Sequence, residues 1–484
     1  MNPAGETSGR ARGAQTARDR VVGQLTRYPA TVFAEISPAI CDVWLDGEEP
    51  PRPVCLSRSR SRGHITRMSA VPLPLPSPAT GAPMRPVPVD ADPRRWRTLG
   101  ILALAELLGM SLWFAASAVA PQLGVRWSLT TSEIGWLTAI VQLGFVVGTA
   151  VSALLNLADI LPARRLFASS AAVGAVANAL LLLAPGYRAA LACRFATGFA
   201  LAGVYPPAMK MISTWFRAQR GLAVGTIVGA LTVGKAGPYL VHAIPGAGET
   251  PVVLSATVSA LVAACLVALL YEDGPYPFPP RPFSWGLVAT VFSERRWRLA
   301  TGGYLGHMFE LYSAWTWLPV FVSASAAAAG LAPGRGRDSL AAAVAFAAIA
   351  IGGIGCVWGG RVADRRGREW LVTAAMGASA TCAVLIGFTF GRSLWLLVPV
   401  ALTWGFFVIA DSAQFSVLVT EAVPPHAVGT ALTVQTSLGF LLTMISIQLV
   451  PPVQQVVGWR WAFVLLAFGP VFGIAAIRRL KRVQ

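Results

Sequence analysis

The sequence predicts an all-α polytopic membrane protein with twelve transmembrane helices in two pseudo-symmetric six-helix bundles. Hydrophobic residues make up 55% of its 484 residues, and charged residues make up only 13%. Apolar runs of about 20 residues, each long enough to cross about 30 Å of hydrocarbon, recur through the chain after its N-terminal region. Short segments of the first half also recur in the second half, which indicates a duplicated unit.

The apolar runs are expected to be helices, because a helix satisfies its backbone hydrogen bonds within one segment and no run alternates as a barrel strand would. We expect six spans in a bundle at 96–271 and six in a bundle at 299–484, which includes a basic tail. A polar, Pro-rich cytoplasmic linker at 272–298 joins them. The twelve spans lie roughly at 98–121, 133–156, 166–185, 190–213, 221–244, 251–271, 299–322, 339–359, 370–390, 394–418, 428–450 and 456–478.

Residues 1–95 differ from the rest of the chain. They are rich in Arg, Pro and Ser and lack the apolar core of a cleaved signal peptide, so we expect a disordered N-terminal extension. Two interpretations stay open. The extension is a cytoplasmic interaction tail, or the start is mis-assigned and the true one is Met68 or Met84.

The net charge of +17 is distributed as in a membrane protein, which argues against a nucleic-acid partner. Arginines concentrate in the loops that share one side of the membrane if both termini are cytoplasmic, and the opposite loops carry few charges. By the positive-inside rule we expect a multi-pass cell-membrane protein with both termini in the cytoplasm. The cysteines and histidines show no ligand spacing, so no metal or cofactor is expected.

The repeat is visible in the polar and aromatic residues of the spans. At one constant separation along the chain, Glu106 matches Glu310 and Trp113 matches Trp317, and Asp159 matches Asp364 at a separation one residue longer. An intramembrane glutamate is costly unless it faces a polar environment. We therefore expect the two glutamates to face a central pathway between the halves, where membrane repeats place the substrate site.

A signature follows the eighth span, where residues 360–368 read GRVADRRGR; a degenerate copy, LADILPARR, follows the second span at 157–165. With twelve spans, this arrangement resembles the major facilitator superfamily (MFS) over roughly residues 97–480. The resemblance implies the MFS fold, a cavity lined mainly by helices 1, 4, 7 and 10, and alternating access.

The resemblance also implies a charge network in these two loops that latches one conformation, although the first copy lacks both glycines and the arginine after its aspartate. Carboxylates there can accept hydrogen bonds from guanidinium groups and from a helix N-terminus. The alternative is that the arginines only fix topology. The candidate latch residues are Asp159, Arg164, Arg165, Gly360, Asp364, Arg365, Gly367 and Arg368.

Proton coupling is expected at Glu310, with Glu106 as a second candidate. A carboxyl group in a low-dielectric environment can exchange protons near neutral pH. His307 lies on the same helix face as Glu310, because the two residues are three apart, and would adjust it. The alternative is that Glu310 makes a buried structural hydrogen bond to the opposing bundle.

Two basic residues also lie inside predicted spans. Arg194, with Gly198 one turn later, resembles the helix 4 arginine motif that proton-coupled members of the family use; alternatively its side chain extends to the surface. Lys235 binds an anionic group, pairs with Glu106, or also extends to the surface.

Aromatic and polar residues complete the expected cavity. Aromatic walls around carboxylates suit an amphipathic organic solute or cation, although each aromatic alone is more often packing. The remaining candidates are Asp411, Trp113, Tyr205, Tyr312 and Trp317.

The junction at 211–225 resembles that of nitrate/nitrite and organophosphate porters, but the arginines that nitrate porters present from helices 2 and 8 are missing. We therefore expect a secondary transporter, not an enzyme, that moves a small organic solute by proton-coupled alternating access. Its partners are the lipid bilayer, protons and a small molecule, and it is expected to be a monomer. The alternatives are a small-anion porter and a transporter-like receptor or scaffold without flux.

Overall fold

A computed structural model describes residues 92–217, 219–277 and 284–483, without the side chains of Ala158, Asp159, Trp285 and Pro425. The expected disorder of the N-terminal extension therefore falls outside the described residues up to position 91. The same holds for part of the linker, and for the predicted latch contacts of Asp159.

The described residues form twelve membrane helices in two six-helix bundles. Nine helical segments are long and apolar enough to cross a membrane, and the longest, Val428–Leu480, is long enough to cross twice. In chain order the helices are α1 (Arg94–Gly109, continued by Met110–Leu112 and Ala115–Ala118), α2 (Thr131–Leu154), α3 (Ala163–Leu183), α4 (Tyr187–Ser213), α5 (Arg220–Ala243), α6 (Glu249–Leu270), α7 (Arg295–Ala328), α8 (Arg335–Arg366), α9 (Arg368–Phe388), α10 (Leu394–Ala422), α11 (Val428–Ala462) and α12 (Phe468–Leu480).

The helices α1 and α7 are the two that lack a long, uniformly apolar stretch. A turn at Trp113 and Phe114 interrupts α1, and α7 carries three arginines near its start as well as His307 and Glu310. These equivalent helices of the two halves therefore have the composition expected of pathway helices rather than of lipid-facing ones.

The bundles meet along two helix pairs, α5 with α8 and α2 with α11. We call the end where α1, α5, α7, α9 and α11 begin the basic end, because the arginine-rich loops lie there. At the opposite end Ser132 Oγ donates a hydrogen bond to Gln448 Oε1 at 2.7 Å, and Gln448 Nε2 donates to the Ser132 carbonyl at 3.3 Å. The bundles are thus tied together at the end away from the arginines.

The helices α4 and α10 are broken at corresponding places. In α4 the regular helix stops at Leu201 and resumes at Tyr205, where two prolines follow directly; proline cannot donate the backbone hydrogen bond that a continuous helix needs. In α10 the break is at Asp411. Both breaks lie beside the central cavity.

Two glycines fix the register of this comparison. A Cβ atom on Gly198 would collide with the carbonyl of Val141 in α2, and a Cβ atom on Gly405 would collide with the carbonyl of Ala348 in α8. The same number of residues separates Gly198 from Gly405 and Val141 from Ala348. Only glycine allows these close helix approaches, so α2 with α4 and α8 with α10 are equivalent pairs.

The predicted linker contains a short helix, Trp285–Ser293, that the proline-rich sequence had not suggested. Its Val291 is fully buried in a small apolar cluster with residues of α7 and α11. Because residues 278–283 lie outside the described part, the predicted domain boundaries stay a prediction.

Candidate functional site

A cavity lies between the bundles. It contains about 780 Å³ of atom-free space, of which about 80 Å³ is available to the centres of water-sized molecules. Most of its lining comes from the halves of the helices nearest the basic end. The lining residues are Met110, Trp113, Phe145, Tyr205, Met209, Val224, Val228, Leu231, Lys235, Tyr304, Met308, Leu311, Tyr312, Ile409, Ser412, Ala413, Ser416, Gln435, Thr436 and Phe440.

An aromatic cluster closes the cavity on the side away from the basic end. We call this cluster the aromatic roof; its members are Trp113, Phe114, Phe145, Tyr312, Trp315 and Phe440. Rings of α1 and α2 meet rings of α7 and α11 there, with centroids 5.7 Å apart for Trp113 and Tyr312 and 4.7 Å apart for Phe145 and Phe440. Such offset and tilted ring pairs are favourable. The cavity is therefore directed toward the basic end and closed at the other.

Lys235 is held against the aromatic roof. Its side chain is only 4% exposed, and Nζ donates to the Tyr312 hydroxyl at 2.5 Å. The same Nζ lies 4.4 Å from the ring centroid of Trp113 and 5.8 Å from that of Trp315. An ammonium group over aromatic faces is attracted by the ring quadrupole. The side chain therefore points into the site and does not extend to the surface.

Glu106 has no such partners. Its side chain is fully buried, and neither carboxylate oxygen accepts a hydrogen bond from the part of the chain that the structure describes. The backbones of α1 and α5 touch at the next residues, where Gly234 lies against the Leu107 carbonyl, and Glu106 interacts electrostatically with Lys235. The two side chains are nevertheless not within ion-pair distance, so the predicted pairing is absent in this conformation.

Arg194 is fully buried inside the N-terminal bundle. Its guanidinium group donates to the carbonyl of Leu112 at 3.0 Å, to the carbonyl of Trp113, to that of Leu137 at 3.5 Å and to Asn178 Oδ1 at 3.4 Å. The first two carbonyls lie where α1 is interrupted, so helix geometry does not satisfy them. Arg194 therefore stabilises the turn that carries Trp113; it neither reaches the surface nor lines the cavity.

The acidic groups of the C-terminal bundle are engaged with neighbours in that bundle. Trp404 Nε1 donates to Glu310 Oε1 at 2.7 Å, and His307 Nδ1 lies 2.9 Å from Asp411 Oδ1. All four side chains are buried. The expectation that Glu106 and Glu310 face each other across a central gap is not met in this conformation, because each lies within its own bundle.

Of the predicted cavity residues, Trp113, Tyr205, Lys235 and Tyr312 line the cavity. Trp317 instead closes the end away from the arginines, where its Nε1 donates to the Ile447 carbonyl at 2.9 Å. The residues that do not line it are Glu106, Arg194, His307, Glu310, Asp411 and Trp317.

Sequence reasoning missed the contribution of α11. Gln435, Thr436 and Phe440 line the cavity, together with three methionines from other helices. The available signal was the amide of Gln435 inside an apolar span, since a polar group there requires a reason. Methionines add an adaptable apolar surface.

The candidate latch residues lie at the basic end. Arg164, Arg165, Asp364 and Arg365 are exposed. Gly367 joins α8 to α9 with a φ of 89°, and Arg368 Nη1 lies 2.5 Å from Glu421 Oε1 of α10. This ion pair lies within the C-terminal bundle. The latch role of all these residues, and of Gly360, stays a prediction.

A family model described as Major Facilitator Superfamily matches residues 101–447. The niacin transporter NiaP of Acinetobacter baylyi is 33% identical over 93 residues, which are 19% of this chain. The match spans about a fifth, 21%, of that relative's length. The prediction of the superfamily is thereby confirmed, and the resemblance to nitrate/nitrite and organophosphate porters stays a prediction.

Two solved structures share the fold. A bacterial homologue of the human lysosomal transporter Spinster, inward-facing and unoccupied, aligns with a TM-score of 0.65 and 14% identity over 81% of this chain and 98% of that chain. A mutant of the nucleoside transporter NupG aligns with a TM-score of 0.61 and 15% identity over 79% of this chain and 99% of that chain. The predicted fold class is confirmed, and the named relatives are transporters rather than enzymes.

Proposed function

The chain belongs to the Major Facilitator Superfamily, and on that premise we propose that it is a secondary transporter that carries a small single-ring organic anion by proton-coupled alternating access. The observation that carries the proposal is the position of Lys235. Among the described residues that line the cavity it is the one charged side chain. Its direct contacts, the Tyr312 hydroxyl and three aromatic rings, are all neutral, and it forms no ion pair with the nearby Glu106.

An anionic cargo follows from this charge imbalance. A buried charge with only neutral neighbours keeps a large part of its desolvation cost, and an anion beside it would lower that cost. The carboxylates that would favour a cationic cargo lie elsewhere, since Glu310 accepts from Trp404 and Asp411 lies beside His307. Small inorganic anions are the second candidate, but they would leave the aromatic faces around Lys235 unused.

The size of the cavity favours one ring. About 80 Å³ is available to the centres of water-sized molecules, and this small volume supports a small cargo. The aromatic side chains around Lys235 offer flat faces for a planar ring. The relative NiaP is named a niacin transporter, and nicotinic acid at neutral pH is a single-ring carboxylate, which supports this class of cargo.

We assign proton coupling to Glu106. In this proposal Glu106 carries the proton in this conformation, because a buried carboxylate without a hydrogen-bond donor is less costly as the neutral acid. When that proton leaves, the carboxylate and Lys235 can balance each other, and the attraction for an external anion falls. One proton and one monovalent anion would therefore move together, without net charge.

The direction of the cavity defines the conformation. If the arginine-rich loops are cytoplasmic, as the positive-inside rule predicts, the cavity opens inward and both termini lie in the cytoplasm. The protein would then sit in the cell inner membrane, and we propose that it acts as a monomer.

Transport by purified protein in liposomes tests the proposal. An inside-alkaline pH gradient should drive uptake of labelled benzoate or nicotinate, and an imposed membrane potential should change the rate little. Lys235→Met should abolish binding and uptake, whereas the matched variant Lys235→Arg should retain part of both. Glu106→Gln should keep anion binding and exchange but lose accumulation driven by the pH gradient, whereas Glu310→Gln should keep that accumulation.

Three outcomes would overturn parts of the proposal. Uptake of a nucleoside but of no organic anion would exclude the anionic cargo. Anion binding without any flux would favour a receptor. Full gradient-driven accumulation by Glu106→Gln would remove Glu106 from coupling and return the assignment to Glu310.

A further inference from the structure

Gln435 of α11 is a buried amide whose donor has no partner. Its side chain lines the cavity and is only 2% exposed, and Nε2 donates to no acceptor among the described residues. A buried polar group without a hydrogen bond is destabilising. Such groups are rare in folded proteins and each needs a reason.

The amide lies nearer the basic end than the aromatic roof, against which Lys235 is held. Gln435 precedes Phe440 by five residues, which is about 7.5 Å along the helix at 1.5 Å per residue. The Phe440 ring belongs to the aromatic roof and lies 5.4 Å from the ring of Tyr312, whose hydroxyl accepts from Lys235. The Lys235 ammonium group therefore lies at the aromatic roof of the cavity, and the unpaired Gln435 amide donor lies toward its basic end.

We infer that Gln435 is a specificity-determining residue that donates a hydrogen bond to an acceptor on the ring of the cargo, on the side away from its carboxylate. This inference rests on the proposed function. With the carboxylate at Lys235 and the ring against the aromatic roof, the remote side of the ring is directed toward the basic end, where Gln435 lies. The preferred substrates are therefore single-ring carboxylates with a ring nitrogen or oxygen substituent remote from the carboxylate.

The chemistry of the two ends explains why one isomer fits. Lysine and the amide Nε2 are both donors, so each end requires an acceptor. A ring with a carboxylate at one end and no acceptor at the other leaves the Gln435 donor unpaired in the complex. A site that is built to hydrogen-bond a polar group discriminates against analogues that lack it.

Three ring acids of nearly equal size provide the test. Isonicotinate carries its ring nitrogen opposite the carboxylate, picolinate carries it next to the carboxylate, and benzoate has none. Because isonicotinate alone pairs the otherwise unsatisfied Gln435 donor, the wild-type protein should bind it about tenfold more tightly than the other two, which corresponds to about 1.4 kcal/mol. This ranking needs no variant.

The isosteric substitution Gln435→Met should abolish the ranking by weakening isonicotinate alone and leaving benzoate unchanged. Gln414→Met is the matched control, because Gln414 is buried in α10 but does not line the cavity; it should keep the wild-type ranking. Equal affinities in the wild-type protein, or an unchanged ranking in Gln435→Met, would overturn the inference while the proposed function stands. Failure to bind any of the three acids would instead overturn the proposed function.

Discussion

Replacing Arg194 by methionine tests whether this residue builds the site or transfers protons. The family resemblance associates the helix 4 arginine with proton transfer. In the structure, however, the guanidinium group is fully buried and hydrogen-bonded mainly to backbone carbonyls. We expect Arg194→Met to destabilise the interrupted part of α1 and to displace Trp113, because methionine fills similar space without any donor.

The magnitude follows from the groups left without donors. The carbonyls of Leu112 and Trp113 would each lose their donor from Arg194, at about 1–3 kcal/mol each when buried. Removing the buried charge recovers part of its desolvation cost, so a net loss of about 2–4 kcal/mol is expected. For a unit the size of one bundle, each kcal/mol shifts the melting midpoint by roughly 2–4 °C.

Thermal unfolding in detergent and transport at several pH values form the assay. Arg194→Met should melt several degrees lower and bind the anion more weakly, with the shape of its pH profile unchanged. Arg188→Met is the matched control, because Arg188 is an exposed arginine of the same helix, and it should melt as the wild type does. A variant of Arg194 with wild-type melting but an altered pH profile would refute the structural role and favour proton transfer.

Three further predictions concern the packing of the bundles. Trp404→Phe removes the donor to Glu310 and should cost about 1–3 kcal/mol of stability, which would appear as a lower melting midpoint. Trp395→Phe, at an 89% exposed site, should leave the melting midpoint unchanged. Equal melting midpoints for the two variants would contradict the role of Trp404. Gly229→Val should slow uptake and cost about 1–3 kcal/mol by overpacking, because a Cβ atom there lies 3.0 Å from the Gly353 carbonyl of the other bundle. Gly225→Ala, whose Cβ atom has its nearest neighbour at 3.9 Å, should be tolerated. Equal uptake rates for the two variants would exclude motion along the contact between α5 and α8. In a background without native cysteines, a short, reducible thiol cross-linker that joins Ser132→Cys to Gln448→Cys should block transport until a reductant cleaves the cross-link. Undiminished transport after complete cross-linking would show that the end of the bundles away from the arginines does not open.

The fold could be predicted from the sequence because its signals are long-range and redundant. Span length, the arginine asymmetry and the repeat of Glu106 and Trp113 in the second half all pointed to the same duplicated bundle. The helix interruptions were harder to place. A turn at Trp113 and Phe114 carries no proline or glycine, and it depends on a guanidinium group from another helix.

The site was only partly predictable, because the direction of a side chain depends on tertiary neighbours. Lys235 was identified as a basic residue inside a predicted span and Tyr312 as an aromatic residue of the expected cavity, and both line the cavity. Glu310 was identified by the same reasoning but faces Trp404. The sequence does not state which face of a helix turns to the cavity when apolar residues surround the whole helix, as they do in lipid.

Sequence differences between the halves explain why Glu310 accepts a hydrogen bond and Glu106 does not, among the described residues. On the register that Gly198 and Gly405 define, the counterpart of Trp404 in the first half is Thr197. The Thr197 hydroxyl donates to the Cys193 carbonyl of its own helix at 2.8 Å, so it has no proton to offer Glu106. On the same register the counterpart of Asp411 is Val204.

At the separation that relates Glu106 to Glu310, the counterpart of His307 is Ala103, and the counterpart of Lys235 in the second half is Gly439. In the C-terminal bundle, Glu310 and Asp411 thus lie beside Trp404 and His307. In the N-terminal bundle, Lys235 lies near Glu106, which accepts no hydrogen bond from the described residues. A protonation change at Glu310 would occur beside the neutral donor Trp404, inside the other bundle from Lys235. The same change at Glu106 alters the charge balance around Lys235, and this is the reason to expect proton coupling in the first half of the duplicated chain.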